Sequence, residues 1–230
     1  MNVATFSRAW IVPGVVGMGA GCLLALLTGC ASGPGSGSAV RDPVPGNVFR
    51  LEDRLPRGLK RVALLPLAVH APEAHRSRIR EGLQPVLAAE LGKAGRFEVV
   101  TVEAGRLRQW TGQGEWRSTD RLPVDFFERL REETGCDGVL FGEVTEYRAY
   151  PPIAVGWRWQ LVDTDGPTVW WAVDEVFDAG EPGVAAAARR YQGGRSGGSR
   201  SGTDGGDILN SPTRFGRYTA SLLVATCPGR

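Results

Sequence analysis

The sequence predicts an α/β (α+β) fold: a single three-layer-like domain with a mixed sheet of about five strands and flanking helices, preceded by a signal peptide and a flexible tether. Three observations predict it. Short apolar runs such as Arg61-Val-Ala-Leu-Leu-Pro-Leu67 alternate with amphipathic stretches in the first half of the folded part, the pattern of strand–helix–strand units. Residues 153–162 alternate strictly, Ile153, Val155, Trp157, Trp159 and Leu161 pointing one way and Ala154, Gly156, Arg158 and Gln160 the other, which is the period of a strand. Residues 1–29 and the Gly-, Ser- and Pro-rich stretch after them lack any such pattern. That leaves one domain over residues 59–230, roughly 170 residues and enough for a single core.

The elements follow in order. Residues 61–67 read as a buried strand. Pro72–Lys93 reads as a helix, with Ile79, Leu83, Val86, Leu87 and Leu91 on one face, Arg76, Arg80 and Gln84 on others, a kink at Pro85 and Gly95 at its end. Phe97–Val102 is a second strand, a short helix spans 103–110, residues 111–121 form a loop, and 123–134 a helix. Asp137–Tyr147 is apolar on both faces at its start, as in a central strand. Residues 153–162 and 168–177 then form a hairpin around the turn residues Asp163-Thr-Asp-Gly166. In this turn Asp163 and Asp165 are turn formers rather than an acidic site. Helices near 183–192 and 211–225 close the domain, the latter opened by Ser211-Pro212 as cap and first residue. Between them, residues 193–207 are a flexible Gly/Ser/Arg insertion.

The amino terminus carries its own signal. Arg8 is the sole charged side chain before residue 41, and Trp10–Leu27 is an uncharged apolar stretch, together the n- and h-regions of an export signal. Pro13 and the glycines at 14, 17, 19 and 21 make it a poor permanent helix. The stretch ends in Leu27-Thr28-Gly29-Cys30, which resembles a bacterial lipobox at all four positions. The resemblance implies cleavage before Cys30 and acylation of that cysteine, and several acyl chains give essentially permanent anchoring. Residues 30–58 then form the lipidated cysteine and its tether, since small and Pro-rich residues bury too little apolar area to order themselves. Ala31 and Ser32, with no aspartate after the cysteine, resemble cargo sent to the outer membrane, facing the periplasm.

Composition excludes several classes of function. A formal net charge of +2 gives no electrostatic drive toward nucleic acid or an acidic polymer. Of four cysteines, Cys22 falls in the signal and Cys30 in the lipobox, leaving Cys136 and Cys227. These could form one disulfide or stay as two buried thiols, and spacing alone leaves both open. No metal site is expected: His70 and His75 are five apart with Pro72 between them, and read as exposed loop residues. No phosphate loop is present, and Glu143 and Glu146 fall on opposite faces of a strand. The chain therefore reads as non-enzymatic and without a cofactor. Trp157, Trp159, Trp170 and Trp171 are the unusual local feature, readable as core against the helices or as an aromatic patch for a protein or glycan on an uncovered sheet face.

Behind the lipobox, the element order and several stretches resemble a broad group of envelope lipoproteins that includes the curli-secretion lipoprotein family and the LpoB-type activators of penicillin-binding proteins. The stretches are Arg61–Leu67, Leu87–Val100 (LAAELGKAGRFEVV), Gly135–Gly142 with Glu143–Tyr147, and Leu161–Gly166 leading to Trp170. The resemblance implies an accessory lipoprotein of the cell envelope that binds another envelope protein. Its alternative is a self-assembling homo-oligomer of secretion or channel type; an envelope hydrolase ranks below both.

Overall fold

The fold is seen in a computed structural model whose described residues are 42–166, 168–195 and 206–230. Leu27, Thr28, Gly29 and Cys30 lie outside them, as do residues 196–205 of the expected insertion. The elements are β1 (Val48–Arg50), β2 (Arg61–Leu64), β3 (Ala68–Val69), α1 (Glu73–Ala94), β4 (Glu98–Thr101), α2 (Ala104–Thr111), α3 (Phe126–Thr134), β5 (Gly138–Arg148), β6 (Ala154–Asp163), β7 (Val169–Asp178), α4 (Pro182–Arg195) and α5 (Pro212–Ala225). The strands make one seven-stranded sheet in the order β1-β7-β6-β5-β2-β4, with β3 beside β5. Pairing is parallel from β4 through β2 to β5 and antiparallel from β5 to β1, so the sheet is mixed.

Two strands exceed the sequence expectation, each for a local reason. The run 61–67 is interrupted at Pro66, which has no N–H to give a ladder. The amide of Gln84 repairs the gap: its oxygen accepts from Leu67 N at 2.7 Å and its nitrogen donates to Leu65 O at 3.1 Å. Arg80 Nε donates to Leu67 O at 2.7 Å. The chain then re-pairs with β5 as β3, opposite Glu143 and Val144. Two polar residues expected off the apolar face of α1 therefore satisfy backbone groups that would otherwise be orphaned. α1 itself runs through Pro85 and ends at Gly95, whose φ of 61° is the left-handed cap conformation.

The second extra strand corrects the tether. β1 lies within residues 30–58 yet pairs with β7, and Leu55 is only 5% exposed. Arg50 Nε donates to Thr226 O at 2.5 Å, and Leu55 N donates to Gly229 O at 2.7 Å. These bonds lace the lead-in segment to the carboxy terminus, so ordered structure begins well before residue 59. Composition missed it because three alternating residues on a sheet edge carry almost no periodic signal.

The sheet separates two hydrophobic clusters. Leu64, Leu140, Val144, Val155, Trp157, Trp159, Leu161, Trp171 and Val173 pack on the first face with Leu83 and Leu87 of α1, Ala187 of α4, and Phe215 and Leu223 of α5. Ala63, Leu65, Val139, Phe141 and Val162 pack on the second face with Leu107 of α2, Trp116, and Phe126 and Leu130 of α3. The two helical layers and the sheet between them give three layers, as expected.

All four tryptophans belong to the first cluster, Trp157, Trp159 and Trp171 at 0% exposure and Trp170 at 8%. The aromatic-patch reading is thereby corrected: the helices cover that face. Trp170 joins its neighbour on one side because the register slips between Leu161 and Val162, which pair with Trp171 and Val169. α5 supplies the polar partners, Trp157 Nε1 donating to Thr219 Oγ1 at 2.9 Å and Trp171 Nε1 to Thr226 Oγ1 at 3.1 Å. Thr219 and the capping Thr226 are seven residues apart, so they share a helix face and meet successive indoles. Gly216 sets how closely α5 approaches, since a Cβ there would lie 2.6 Å from Leu83 Cδ2.

The disulfide alternative is also corrected. Cys136 and Cys227 are both free, buried thiols, one in the cluster on each face of the sheet. Burial pushes the Cys227 thiol up to about 11 and raises that of Cys136, which keeps both protonated and unreactive. Among the described residues, no helix is long and apolar enough to cross a membrane.

Candidate functional site

The second face is covered only in part. α2, α3 and the 111–121 loop lie over β2, β4 and β5, leaving the β6-β7-β1 side open. Along one register row, Ala68, Glu143, Arg158 and Asp174 are cross-strand neighbours from β3 to β7, and this row carries the polar chemistry of the face.

Glu143 is at its centre and its side chain is only 1% exposed. A buried carboxylate persists only if its oxygens are satisfied. His70 Nε2 lies 2.9 Å from Oε2, where its N–H donates to the carboxylate. Ser118 donates to Oε1 from its hydroxyl at 3.1 Å and its backbone N–H at 3.3 Å. Arg158 stands 3.9 Å from Oε2 and turns its Nε and remaining amino group to Asp174 Oδ2, at 2.8 and 2.7 Å. Glu143 therefore binds the end of β3, the 111–121 loop and β6 together. His70 is thus a partner of this acid rather than a free loop residue.

The order of these groups decides their chemistry. In a nucleophile–base–acid relay the imidazole lies between hydroxyl and carboxylate. Here the carboxylate lies between hydroxyl and imidazole, so the Ser118 proton points at Glu143 and His70 sits on the far oxygen. The arrangement is a clamp. Glu146 adds no second acid to it: the bulge between Val144 and Glu146 pairs Glu143 and Glu146 with Arg158 and Gly156. This returns Glu146 to the side of Glu143, contrary to the ideal-strand expectation, but Glu146 is exposed.

Beyond the clamp the face opens as a shallow cleft of about 200 Å³ lined by Asn47, Phe49, Ser118, Arg158, Gln160, Ala172 and Asp174. Phe49 and Val176, 49% and 53% exposed, lie on this face on either side of the Arg158–Asp174 row. A wider hollow of about 570 Å³ lies at the opposite end of β5, lined by Glu128, Arg131, Glu132, Asp137, Thr164 and Asp165. Its two aspartates are already engaged. Asp137 Oδ2 accepts from the backbone N–H of Lys60 and Arg61 at 2.8 and 2.9 Å, and Asp165 pairs with Arg131. Burial alone would raise the Asp137 carboxyl, yet those N–H groups and the charges of Lys60 and Arg131 hold it below its usual value. Asp163 accepts from Asp165 N at 2.8 Å, as its turn role requires. The described residues place no three His, Cys, Asp or Glu side chains together as metal ligands.

Sequence reasoning missed the clamp, although it left a trace. Glu143 stands between Val139-Leu-Phe-Gly142 and Val144 in a strand apolar on both faces. An acid in such a position must find buried donors, and the candidates were a histidine and a loop serine far away in sequence.

No protein-family model matches this chain, and no curated protein matches it in sequence. Among solved structures it is similar to the PelC dodecamer of Paraburkholderia phytofirmans, at 18% identity over 80% of this chain and 96% of that one, with a TM-score of 0.47. It is similar to the lipoprotein GNA1162 of Neisseria meningitidis, at 20% identity over 61% and 99% of the two chains, with a TM-score of 0.39. It is likewise similar to the hypothetical protein CT253 of Chlamydia trachomatis, at 15% identity over 72% and 93%, with a TM-score of 0.43.

Proposed function

We propose that this chain is a lipid-anchored accessory subunit of the bacterial cell envelope that works by binding another envelope protein and not by catalysis. Cys30 carries the anchor, on the outer membrane facing the periplasm. The observation that carries the non-catalytic half is the order of groups around Glu143, where the carboxylate, and not the imidazole, receives the serine proton. A clamp of that kind fixes a loop beside an open sheet face, and a fixed polar and apolar surface is what a binding subunit needs. The anchoring half is supported by the lipobox Leu27-Thr28-Gly29-Cys30 behind a charge-free apolar stretch.

The test combines labelled palmitate with crosslinking in intact cells. The native chain is expected to incorporate palmitate, fractionate with membrane and yield one specific envelope adduct. Cys30→Ser is expected to lose all three. Palmitate failing to enter, or a native chain that gives no adduct, overturns the reading. Ser118→Ala and His70→Ala loosen the clamp and are expected to weaken the adduct while leaving palmitate incorporation unchanged.

A further inference from the structure

We infer that the folded domain itself rests on the lipid bilayer, through the end of the sheet where β5 and β7 finish, with Tyr150 as an interfacial anchor. The inference rests on the acylation of Cys30 proposed above and adds an orientation to it.

The three antiparallel strands are joined by two turns of opposite chemistry. At one end of the sheet the β6–β7 turn begins Asp163-Thr-Asp-Gly166, charged and hydrogen-bonded as a turn in water is. At the other end the β5–β6 turn is Ala149-Tyr-Pro-Pro152, with no charged side chain. Tyr150 is 82% exposed there, the most exposed aromatic ring among the described residues. Both prolines are exposed and neither has an N–H, so the tip carries few backbone donors to be left unpaired in an interface. The tip is also held in place. Arg148 Nε donates to Pro152 O at 2.5 Å, its Nη2 to Asp178 Oδ2 at 2.6 Å, and Ala179 N to Ile153 O at 2.8 Å. Arg148 and Asp178 cancel each other's charge at its base.

The chain that leads to the anchor enters in the same half of the sheet. Gly46 and Asn47 donate their backbone N–H groups to Glu175 Oε2 at 2.7 and 3.4 Å, three residues before β7 ends. Ahead of them Pro43-Val44-Pro45 is again uncharged and poor in N–H, and Val44 is 87% exposed. With Val176 on β7, three of the six exposed large apolar side chains of the described residues gather at this end. Exposed side chains at the opposite end include Arg54, Arg57, Lys60 and Asp165, which favour water.

The occupant follows from the length of chain in between. Eleven residues, 31–41, separate Cys30 from Asp42, and they reach at most about 40 Å, roughly one domain width. An acylated Cys30 keeps this end within that distance of lipid. A contact too weak to recruit the domain from solution then suffices to orient it. Tyrosine suits such a contact, since its ring enters the apolar boundary while its hydroxyl stays among the headgroups. With this end on the bilayer, the open half of the second face is turned sideways, free for a protein partner.

The experiment uses the full acylated chain in phosphatidylethanolamine–phosphatidylglycerol vesicles that contain a headgroup-quencher lipid. An environment-sensitive fluorophore is placed on one introduced thiol, Cys136 and Cys227 being buried. Labelled palmitate, counted in the same vesicles, reports the anchor separately. A fluorophore at Val44→Cys is expected to shift to the blue and lose most of its emission to the quencher, and one at Arg57→Cys to do neither. Adding Tyr150→Asp to the Val44→Cys chain is expected to abolish the quenching, whereas Tyr150→Trp keeps it. If Tyr150→Asp does not fold, Tyr150→Ser decides the matter. With palmitate present, no quenching at Val44→Cys, or equal quenching at both positions, overturns the inference and leaves the anchor standing. Quenching at Val44→Cys that survives loss of the Tyr150 ring in a chain melting like the native one overturns it too. If palmitate never enters, the anchoring reading fails and this inference falls with it.

Discussion

The two faces of the sheet are built from the same strands and differ in what they do with them. On the first, four tryptophans and a row of leucines and valines are closed under α1, α4 and α5. On the second, α2 and α3 seal only the parallel half, and the antiparallel half carries Arg158, Gln160, Ala172 and Asp174 toward solvent. The first face spends its large side chains on stability: each buried indole removes roughly 150–250 Å² from water, about 4–6 kcal/mol of transfer free energy as an upper bound. The second spends a buried carboxylate on holding a loop in place. A surface that must meet a partner needs this kind of fixed, partly polar framework, and it can exist only because the opposite face supplies the stability.

Substitutions should break this contrast in a definite order. The largest effect is expected from Trp157→Ala, which empties a fully buried site and loses the bond to Thr219. Denaturant unfolding should show a loss of about 3–5 kcal/mol. Beginning the chain at residue 59 removes β1, the buried Leu55 and the link from Arg50 to Thr226. It should cost about 2–3 kcal/mol in the same assay, from the lost apolar burial alone. Glu143→Ala removes the acceptor shared by His70 and Ser118. It should cost about 1–3 kcal/mol, with faster proteolysis within residues 111–121 as the sign that the clamp had held the loop. Gln160→Ala, on the open half, should stay within about 0.5 kcal/mol.

The closed face also makes the domain sensitive to base. Burial pushes Cys227 up to about 11 and Tyr218 up to about 12, from ordinary values of 9.0 and 10.0. Both groups stay neutral in the folded chain at pH values where the unfolded chain ionises. Their contribution is therefore complete below pH 9 and is lost as pH rises through about 11 and 12. Thermal melts should fall steadily above pH 9, and Cys227→Ala should flatten the first part of that fall.

How much of this was legible in the sequence depended on the range of the cause. The helices, the hairpin and the central strand follow from periodicity and turn residues that lie within one element. What escaped were features completed by distant partners. The side of the sheet that takes Trp170 turns on a bulge, and the strand at 48–50 exists because β7 offers an edge. The role of His70 depends on an acid seventy-three residues away. The thiols at Cys136 and Cys227 look alike in sequence and are separated by the whole sheet.

The central claim is that the antiparallel half of the second face is kept open for contact. Replacing partly buried Ala172 with cysteine places a thiol on that face while Cys136 and Cys227 stay buried. Maleimide labelling should be rapid in the dilute purified chain and strongly suppressed in native membranes. Equal labelling in both would mean that nothing covers the face where the protein works, and would contradict the claim.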